Sequence, residues 1–123
     1  MFETASGEYG KFLPALDVND GLKRVMNKKK LYWSLLGRFN SRKMVEDLIA
    51  AIEAGNFDLI VETAHAIKGA SSNLGLISMT EVMIEVESRA KSKQGNSDLI
   101  AKINETLVKT EDAVSELLTM PVD

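Results

Sequence analysis

Apolar residues recur at intervals of three and four positions through most of the chain, the spacing that places side chains on one face of an α-helix. Polar and charged residues fill the intervening positions, so each predicted helix has an apolar face and a charged back. No run alternates apolar and polar residues for long enough to predict a strand. Four segments predict long helices, and their expected core stripes are Val45, Leu48, Ile49 and Ile52; Ile60, Ala64, Ile67, Ala70 or Ser71, and Leu74; Met79, Val82, Met83, Val86 and Ala90; and Ile100, Ile103, Leu107, Val114 and Leu117.

Glycines and capping residues predict where these helices end and begin. Gly55, Gly75 and Gly95 follow the stripes, and glycine just past a helix end tolerates the left-handed conformation that closes it. Both prolines, Pro14 and Pro121, lie near the ends of the chain, so none interrupts a helix. Residues of the types that begin helices are Ser41, Asn56 or Asp58, Ser78 with Glu81 as a capping box, and Ser97.

The segment before Ser41 predicts two shorter helices. Asp17 or Asn19 is the expected cap of the first, which would run through Lys23 and Met26. The second would run from Lys28 to Asn40, and its expected inward residues are Leu31, Leu35 and Phe39, with Trp33 and Leu36 broadening that face. Residues 1–16 are small, polar and aperiodic, and we interpret them as a flexible arm or linker with one apolar patch at Phe12, Leu13 and Leu16.

These elements together predict an all-α fold. Because the connections between the long helices are short, successive helices should be antiparallel neighbours. We therefore expect an antiparallel up-down-up-down four-helix bundle over residues 17–120, with one or two short N-terminal helices packed on its end. No second domain and no internal repeat is evident in the sequence.

Composition narrows the possible functions. The chain has 123 residues, 45% of them hydrophobic, which suits one compact domain, and its net charge of −3 argues against a protein built to neutralise nucleic-acid phosphates. The absence of cysteine excludes disulfides, thiolate metal sites and a cysteine nucleophile. The single histidine excludes a two-histidine zinc site within one chain and leaves one possible base for a catalytic triad.

Two further absences bear on location. No apolar run approaches the roughly 20 residues that cross a bilayer. The first eight residues lack the basic and apolar regions of a secretory signal. The expected location is the cytoplasm.

The segment from Ala64 to Gly75 carries the candidate chemistry. On a helix with the core stripe given above, His65 faces away from the core, and Lys68 and Gly69 share its face one turn later, followed by Ser72. Gly69 costs on the order of 1 kcal/mol relative to alanine within a helix, which suggests that missing side-chain bulk serves the approach of a partner. A neutral imidazole is a competent nucleophile, and a lysine beside it can neutralise a phosphoryl group.

Glu87 is the candidate partner of the imidazole. If the helices on either side of Gly75 are antiparallel, His65 and Glu87 come level at ~1.5 Å per residue. A carboxylate there could accept the Nδ1 proton and leave Nε2 unprotonated and facing outward. The alternative is that Glu87 pairs with Lys91 four positions later. Gly69 has an alternative too, as a site of close helix packing.

The run His65-x-x-Lys68-Gly69, with Gly75 and an upstream segment that includes Asp17-Val18, Gly21-Leu22 and Leu31-Tyr32, resembles the histidine phosphotransfer (HPt) domain of multistep phosphorelays. The resemblance covers about residues 15–118. It implies that His65 is phosphorylated by a receiver-domain aspartate and passes the group to an aspartate of a response regulator. It also implies that Lys68 stabilises the phosphoryl group, that Gly69 gives the receiver clearance, and that Lys91 is a peripheral basic contact.

The resemblance further implies that the residue at position 87 hydrogen-bonds the imidazole. Many relay members have glutamine there, and glutamate is more similar to the phosphotransfer domains of chemotaxis kinases. We also expect a docking surface formed by Lys68, Ser72 and Lys91 with an apolar rim at Leu76 and Ile77.

The expected partners are receiver domains of a hybrid histidine kinase and of a response regulator. Magnesium would be supplied by the receiver, with no metal or cofactor bound by this chain. The sequence lacks a glycine-rich nucleotide loop and a Walker-type lysine loop, so no autonomous kinase activity is expected. We expect a monomer with no nucleic-acid or membrane contact. The polar arm before Pro14 favours a fragment of a hybrid sensor kinase, which itself could be membrane-bound.

Two other functions remain open from the sequence. A helical adaptor would dock receiver domains without covalent chemistry. A metal or hydrolytic site would combine His65 with Asp58, Glu62 or Glu87, although one histidine with scattered carboxylates is a weak ligand set. A run of three lysines, Lys28, Lys29 and Lys30, could form a nucleic-acid patch, but in an acidic chain such a run is more often a solvated surface.

Overall fold

The computed structural model describes residues 7–122. Over this range the chain forms helices and no strand, which confirms the predicted all-α class. Short 3₁₀ turns at Gly10–Phe12 and Ser97–Leu99 precede the first and last α-helices. The α-helices are α1 (Val18–Arg24), α2 (Lys29–Arg38), α3 (Ser41–Ala54), α4 (Phe57–Asn73), α5 (Ile77–Lys91) and α6 (Ile100–Leu118).

The four long helices form a bundle. Helix α3 packs on α4, α4 on α5, α5 on α6, and α6 closes the ring on α3. The contact between α4 and α5 is the most extensive. Because short connections join these neighbours, successive helices are antiparallel. Helix α2 packs on α6 and α1 on α2, so the predicted bundle with two short N-terminal helices is confirmed.

Side-chain caps begin three of the helices. The Asp17 carboxylate accepts a hydrogen bond from the Asp20 amide at 3.0 Å, as one of the two predicted caps of α1. The Asn56 side chain caps α4 through the Leu59 amide at 3.1 Å. The N-cap of α3 lies one residue earlier than predicted. The Asn40 side chain accepts a hydrogen bond from the Lys43 amide at 3.1 Å, and Ser41 is already helical.

The predicted capping box at Ser78 is wrong. Helix α5 begins at Ile77, and its N-cap residue Leu76 makes no side-chain cap. The Ser78 hydroxyl instead donates to the Pro14 carbonyl at 3.1 Å, so a tertiary contact uses the group that would have capped the helix.

The turn between α4 and α5 is fixed by contacts from α1 and α2. Gly75 has a φ of +77°, and a side chain there would also strike the carbonyl of Asp17. The Asp17 amide donates to the Gly75 carbonyl at 2.8 Å, and the Tyr32 hydroxyl donates to the Leu74 carbonyl at 2.6 Å. The Tyr32 ring lies against Gly21, where a Cβ would collide with it. Both N-terminal helices therefore position the α4–α5 pair.

The inward face of α2 differs from the prediction. Tyr32, Trp33 and Leu36 are buried, whereas Leu31 is 44% exposed. Leu35 and Phe39 are only partly buried. The helix is rotated towards Tyr32 because its ring fills the space beside Gly21 and its hydroxyl reaches the α4–α5 turn.

The prediction of a flexible arm over residues 1–16 is wrong for residues 7–16, while residues 1–6 lie outside the described range. Tyr9, Phe12 and Leu16 are buried in the core. The Tyr9 ring meets Trp33 edge to face, with 6.3 Å between ring centroids. These side chains cover the end of the bundle, so their burial offsets the entropy of ordering a polar segment.

We expect Tyr32→Phe to lower the free energy of unfolding by about 1–3 kcal/mol, because the buried Leu74 carbonyl would lose its side-chain donor. Urea unfolding followed by circular dichroism measures the change. Tyr9→Phe is the matched control, because the Tyr9 hydroxyl has no hydrogen bond to any residue from 7 to 122. Equal losses for the two variants would contradict the assigned role of Tyr32.

Candidate functional site

His65 lies near the middle of α4 and faces away from the core. Its side chain is 69% exposed, whereas Ile60, Ala64, Ile67 and Ser71 form the buried side of the same helix. The structure therefore places the single histidine where the helical pattern predicts it. A solvent-facing imidazole at mid-helix is open to contact by another protein.

Glu87 on α5 reaches the imidazole from beneath. The His65 Nδ1 and Glu87 Oε2 atoms are 3.1 Å apart, which is hydrogen-bond distance. Glu87 is only 4% exposed, so it is a buried acidic residue at the edge of the apolar stripe of α5. The antiparallel register of α4 and α5 brings together two side chains that are 22 positions apart.

Two lysines contact the same carboxylate. Lys68 Nζ lies 2.7 Å from Glu87 Oε1, and Lys91 Nζ lies 3.3 Å from Glu87 Oε2. The pairing of Glu87 with Lys91 therefore accompanies the histidine contact rather than replacing it. The Lys68 side chain is 31% exposed and that of Lys91 is 62% exposed. Both ammonium groups lie at the border between the buried carboxylate and solvent.

The three donors determine the charge of Glu87. Burial alone would raise its pKa, but hydrogen bonds from Lys68, Lys91 and His65 outweigh burial and lower the pKa to about 2. Glu87 is therefore ionised at neutral pH and can only accept hydrogen bonds. A neutral His65 ring must then carry its proton on Nδ1, which leaves the Nε2 lone pair available on the exposed side.

Gly69 lies in the exposed row after Lys68. A Cβ built at this position meets no atom within 4 Å, so helix packing does not require glycine here. The alternative of close helix packing for Gly69 therefore has no support in the structure. The missing side chain leaves open surface one turn from the imidazole.

The predicted docking residues separate into two groups. Ser72 is partly exposed, and its hydroxyl donates to the Gly69 carbonyl at 3.1 Å. Ile77 is also partly exposed and lines a shallow groove with Ser72. Leu76 is 1% exposed, so the prediction that it lines a docking surface is wrong. Its side chain packs in the core because the α4–α5 turn is held against α1 and α2.

Ile84 is the exposed apolar residue that the sequence analysis missed. It lies one helical turn before Glu87 on α5 and is 52% exposed. An apolar residue off the core stripe, at i−3 from the carboxylate that meets His65, was the available signal. Ile84 therefore adds apolar surface to the face that carries the imidazole.

The carboxylates of the alternative metal or hydrolytic site do not assemble. Asp58 and Glu62 are exposed on α4, and Glu87 is the carboxylate that contacts His65. Within residues 7–122, no group of three or more potential ligands among His, Cys, Asp and Glu could hold a metal ion. None of the helices in that range combines the length and apolarity needed to cross a membrane.

Comparison with known proteins identifies the family to which the chain belongs. A sequence model of the Hpt domain matches residues 39–119, which is more than half of the chain, so the chain belongs to the Hpt domain family. That family indicates phosphotransfer in a phosphorelay with receiver-domain partners, and its members are phosphoryl carriers rather than catalysts.

A solved structure has the same fold. The crystal structure of the HPT domain from a sensor hybrid histidine kinase of Shewanella is 24% identical, with a TM-score of 0.76. The match covers 89% of this chain and 97% of that chain. No curated protein matches this sequence.

We expect the free energy of unfolding of the wild type to fall relative to that of Glu87→Gln as the pH falls from 4.5 towards about 2. The pKa of Glu87 is 4.5 in its ordinary state and about 2 in the fold, so its ionised form favours folding above that interval. Protonation at lower pH removes this contribution, whereas glutamine does not titrate. Urea unfolding at a series of pH values measures the difference.

Glu62→Gln is the matched control, because Glu62 is exposed on the same face of α4 and makes no ion pair among residues 7–122. Because this variant keeps Glu87 and its three donors, its stability should also fall relative to that of Glu87→Gln across the interval. A constant difference in the free energy of unfolding between the wild type and Glu87→Gln across this pH interval would show that the three donors do not hold Glu87 ionised.

Proposed function

We propose that His65 is the phosphorylated residue of this Hpt domain. It accepts a phosphoryl group on Nε2 from a receiver-domain aspartate and passes it to an aspartate of a response regulator. The observation that carries the proposal is the contact between Nδ1 and the buried, ionised Glu87, because that contact leaves Nε2 as the exposed nucleophile.

The lysines supply the charge that the phosphoryl group needs. A phosphoryl group carries a charge of about −2 at neutral pH. Lys68 lies one turn from His65, and Lys91 approaches from α5, so both ammonium groups are within the immediate surroundings of the imidazole. Charge-assisted hydrogen bonds from these lysines would hold the phosphoryl oxygens.

The transfer chemistry itself belongs to the partner. The sequence has no glycine-rich loop for a nucleotide, which supports a carrier rather than an autonomous kinase. Magnesium would be held by the receiver domain, where it neutralises charge developing on the transferred group. The domain contributes an oriented nucleophile and two cations.

The docking face would be centred on the exposed row of α4. Gly69 is the closest point of approach, Ser72 extends the row, and Ile77 and Ile84 provide apolar contact. An apolar centre with cations at its edge is the usual anatomy of a protein interface. Leu76 has no place in this surface because its side chain is buried.

We expect the purified domain to take up phosphate from a phosphorylated receiver, and His65→Gln to take up none, because the sequence contains no other histidine. The product should be acid-labile and base-stable, as a phosphoramidate bond is. Radiolabelled phosphate retained after alkaline treatment measures uptake.

A non-covalent adaptor would behave differently in that experiment. It would bind the receiver as well after His65→Ala as before, and no phosphohistidine would form. Uptake by His65→Gln equal to that of the wild type would exclude His65 as the carrier.

We expect Gly69→Gln to keep its helical content while slowing transfer from the receiver by about tenfold or more, because added bulk would displace the reacting atoms. Stopped transfer reactions resolved by gel electrophoresis measure the rate. Gly95→Gln is the matched control, since Gly95 lies in the loop after α5 and a Cβ there also meets nothing within 4 Å. Equal rates for the two variants would refute the clearance role.

A further inference from the structure

The ionised carboxylate of Glu87 lies beside Nδ1 of the imidazole and has no proton to donate to it. Its Oε2 atom faces His65 Nδ1 at 3.1 Å, and its two oxygens also accept from Lys68 and Lys91. The carboxylate is buried, so water does not compete freely for it. Nδ1 therefore faces a fixed negative charge in whatever state Nε2 adopts.

Phosphorylation of Nε2 changes what Nδ1 requires. A ring that bears a phosphoryl group on Nε2 is neutral only if Nδ1 has lost its proton. That lone pair would then point at the Glu87 carboxylate, so two acceptors would face each other with no proton between them. Retention of the proton avoids this repulsion and places an imidazolium beside a carboxylate.

The other charged groups around the ring determine whether retention is reasonable. From α5, Lys91 opposes a positive ring, and from α4, Lys68 opposes it while the exposed Glu62 favours it. Both lysines are bound to Glu87 oxygens, which reduces their effect on the ring. With the proton retained, the lysines, Glu87, the ring and a phosphoryl group of charge about −2 are close to neutral together.

On the basis of the proposed role of His65, we propose that Glu87 keeps the Nδ1 proton on the ring in both the free and the phosphorylated state. The phosphoryl group then arrives and leaves without exchange of a proton with solvent. Glu87 is thus a positioning residue, because it acts on the reaction through His65 and does not touch the transferred group.

The two transfer steps balance in this scheme. On arrival, the Nε2 lone pair forms the N–P bond, the P–O bond to the donor aspartate breaks, and its electron pair stays on that carboxylate. On departure, an acceptor aspartate oxygen bonds to phosphorus, the P–N bond breaks, and its electron pair returns to Nε2. The ring is again neutral with the proton on Nδ1. Without that proton, departure would leave an imidazolate anion, a much poorer leaving group.

The test loads the wild-type domain chemically, with phosphoramidate as the phosphoryl donor and ¹⁵N-labelled histidine as the reporter. The ¹⁵N chemical shift of Nδ1 distinguishes a protonated from an unprotonated nitrogen at each pH. In the folded phosphorylated domain we expect the midpoint of Nδ1 titration to lie at least about one pH unit higher than in the same protein unfolded in urea, a tenfold change in proton affinity. Equal midpoints, or a lower one in the folded protein, would overturn the proposal.

Two variants separate a direct role of Glu87 from a structural one. Glu87→Gln should lower the midpoint towards that of the unfolded protein. Glu62→Gln removes an exposed carboxylate near the ring and should lower the midpoint far less, because solvent screens an exposed charge. Equal shifts of the midpoint in the two variants would mean that the loss of any nearby negative charge has the same effect, which would contradict the proposal. Because loading uses no receiver, a wild type that phosphoramidate loads and a receiver does not would refute the proposed function while the titration still decides the role of Glu87.

Discussion

The buried carboxylate of Glu87 is the constraint on which the rest of the site depends. An ionised carboxylate in a protein interior is strongly unfavourable unless charged or polar donors compensate it. Lys68 and His65 on α4 and Lys91 on α5 provide those donors. A slip of α4 along α5 would remove two of the three at once. The position of the proton on the imidazole therefore depends on the register of α4 and α5.

That register is set at the turn between α4 and α5. Gly75 closes the turn in a left-handed conformation against the backbone of Asp17, and Tyr32 donates to the Leu74 carbonyl. The N-terminal helices thus act on the contacts of Glu87 through the α4–α5 turn. Residues 7–16 support the N-terminal helices in turn, since Tyr9 and Phe12 are buried at the end of the bundle and Tyr9 packs on Trp33 of α2.

Periodicity in the sequence was sufficient to predict the class of fold and the exposure of His65, because both depend on spacing within one helix. The position of Glu87 opposite His65 could also be predicted, since a short turn between antiparallel helices leaves little freedom in their register. Leu76, Ser78 and Leu31 were misassigned for a common reason. Each lies where a tertiary contact overrides the local pattern: the α4–α5 turn, the Pro14 carbonyl, and the place that Tyr32 takes beside Gly21. Spacing along one helix carries no information about such contacts. Ile84 lies off the core stripe of α5 and is exposed, so the periodicity that identifies buried residues does not identify it.

The Hpt domain family indicates phosphotransfer, and the contact between His65 Nδ1 and Glu87 supports our proposal that the outward nitrogen, Nε2, carries the phosphoryl group. The most direct test is to load ¹⁵N-histidine-labelled domain from a phosphorylated receiver and to locate the new bond by ³¹P–¹⁵N coupling in NMR spectra. The account predicts coupling to Nε2 of His65. Coupling to Nδ1, or the absence of phosphohistidine after the receiver has lost its phosphate to the domain, would contradict it.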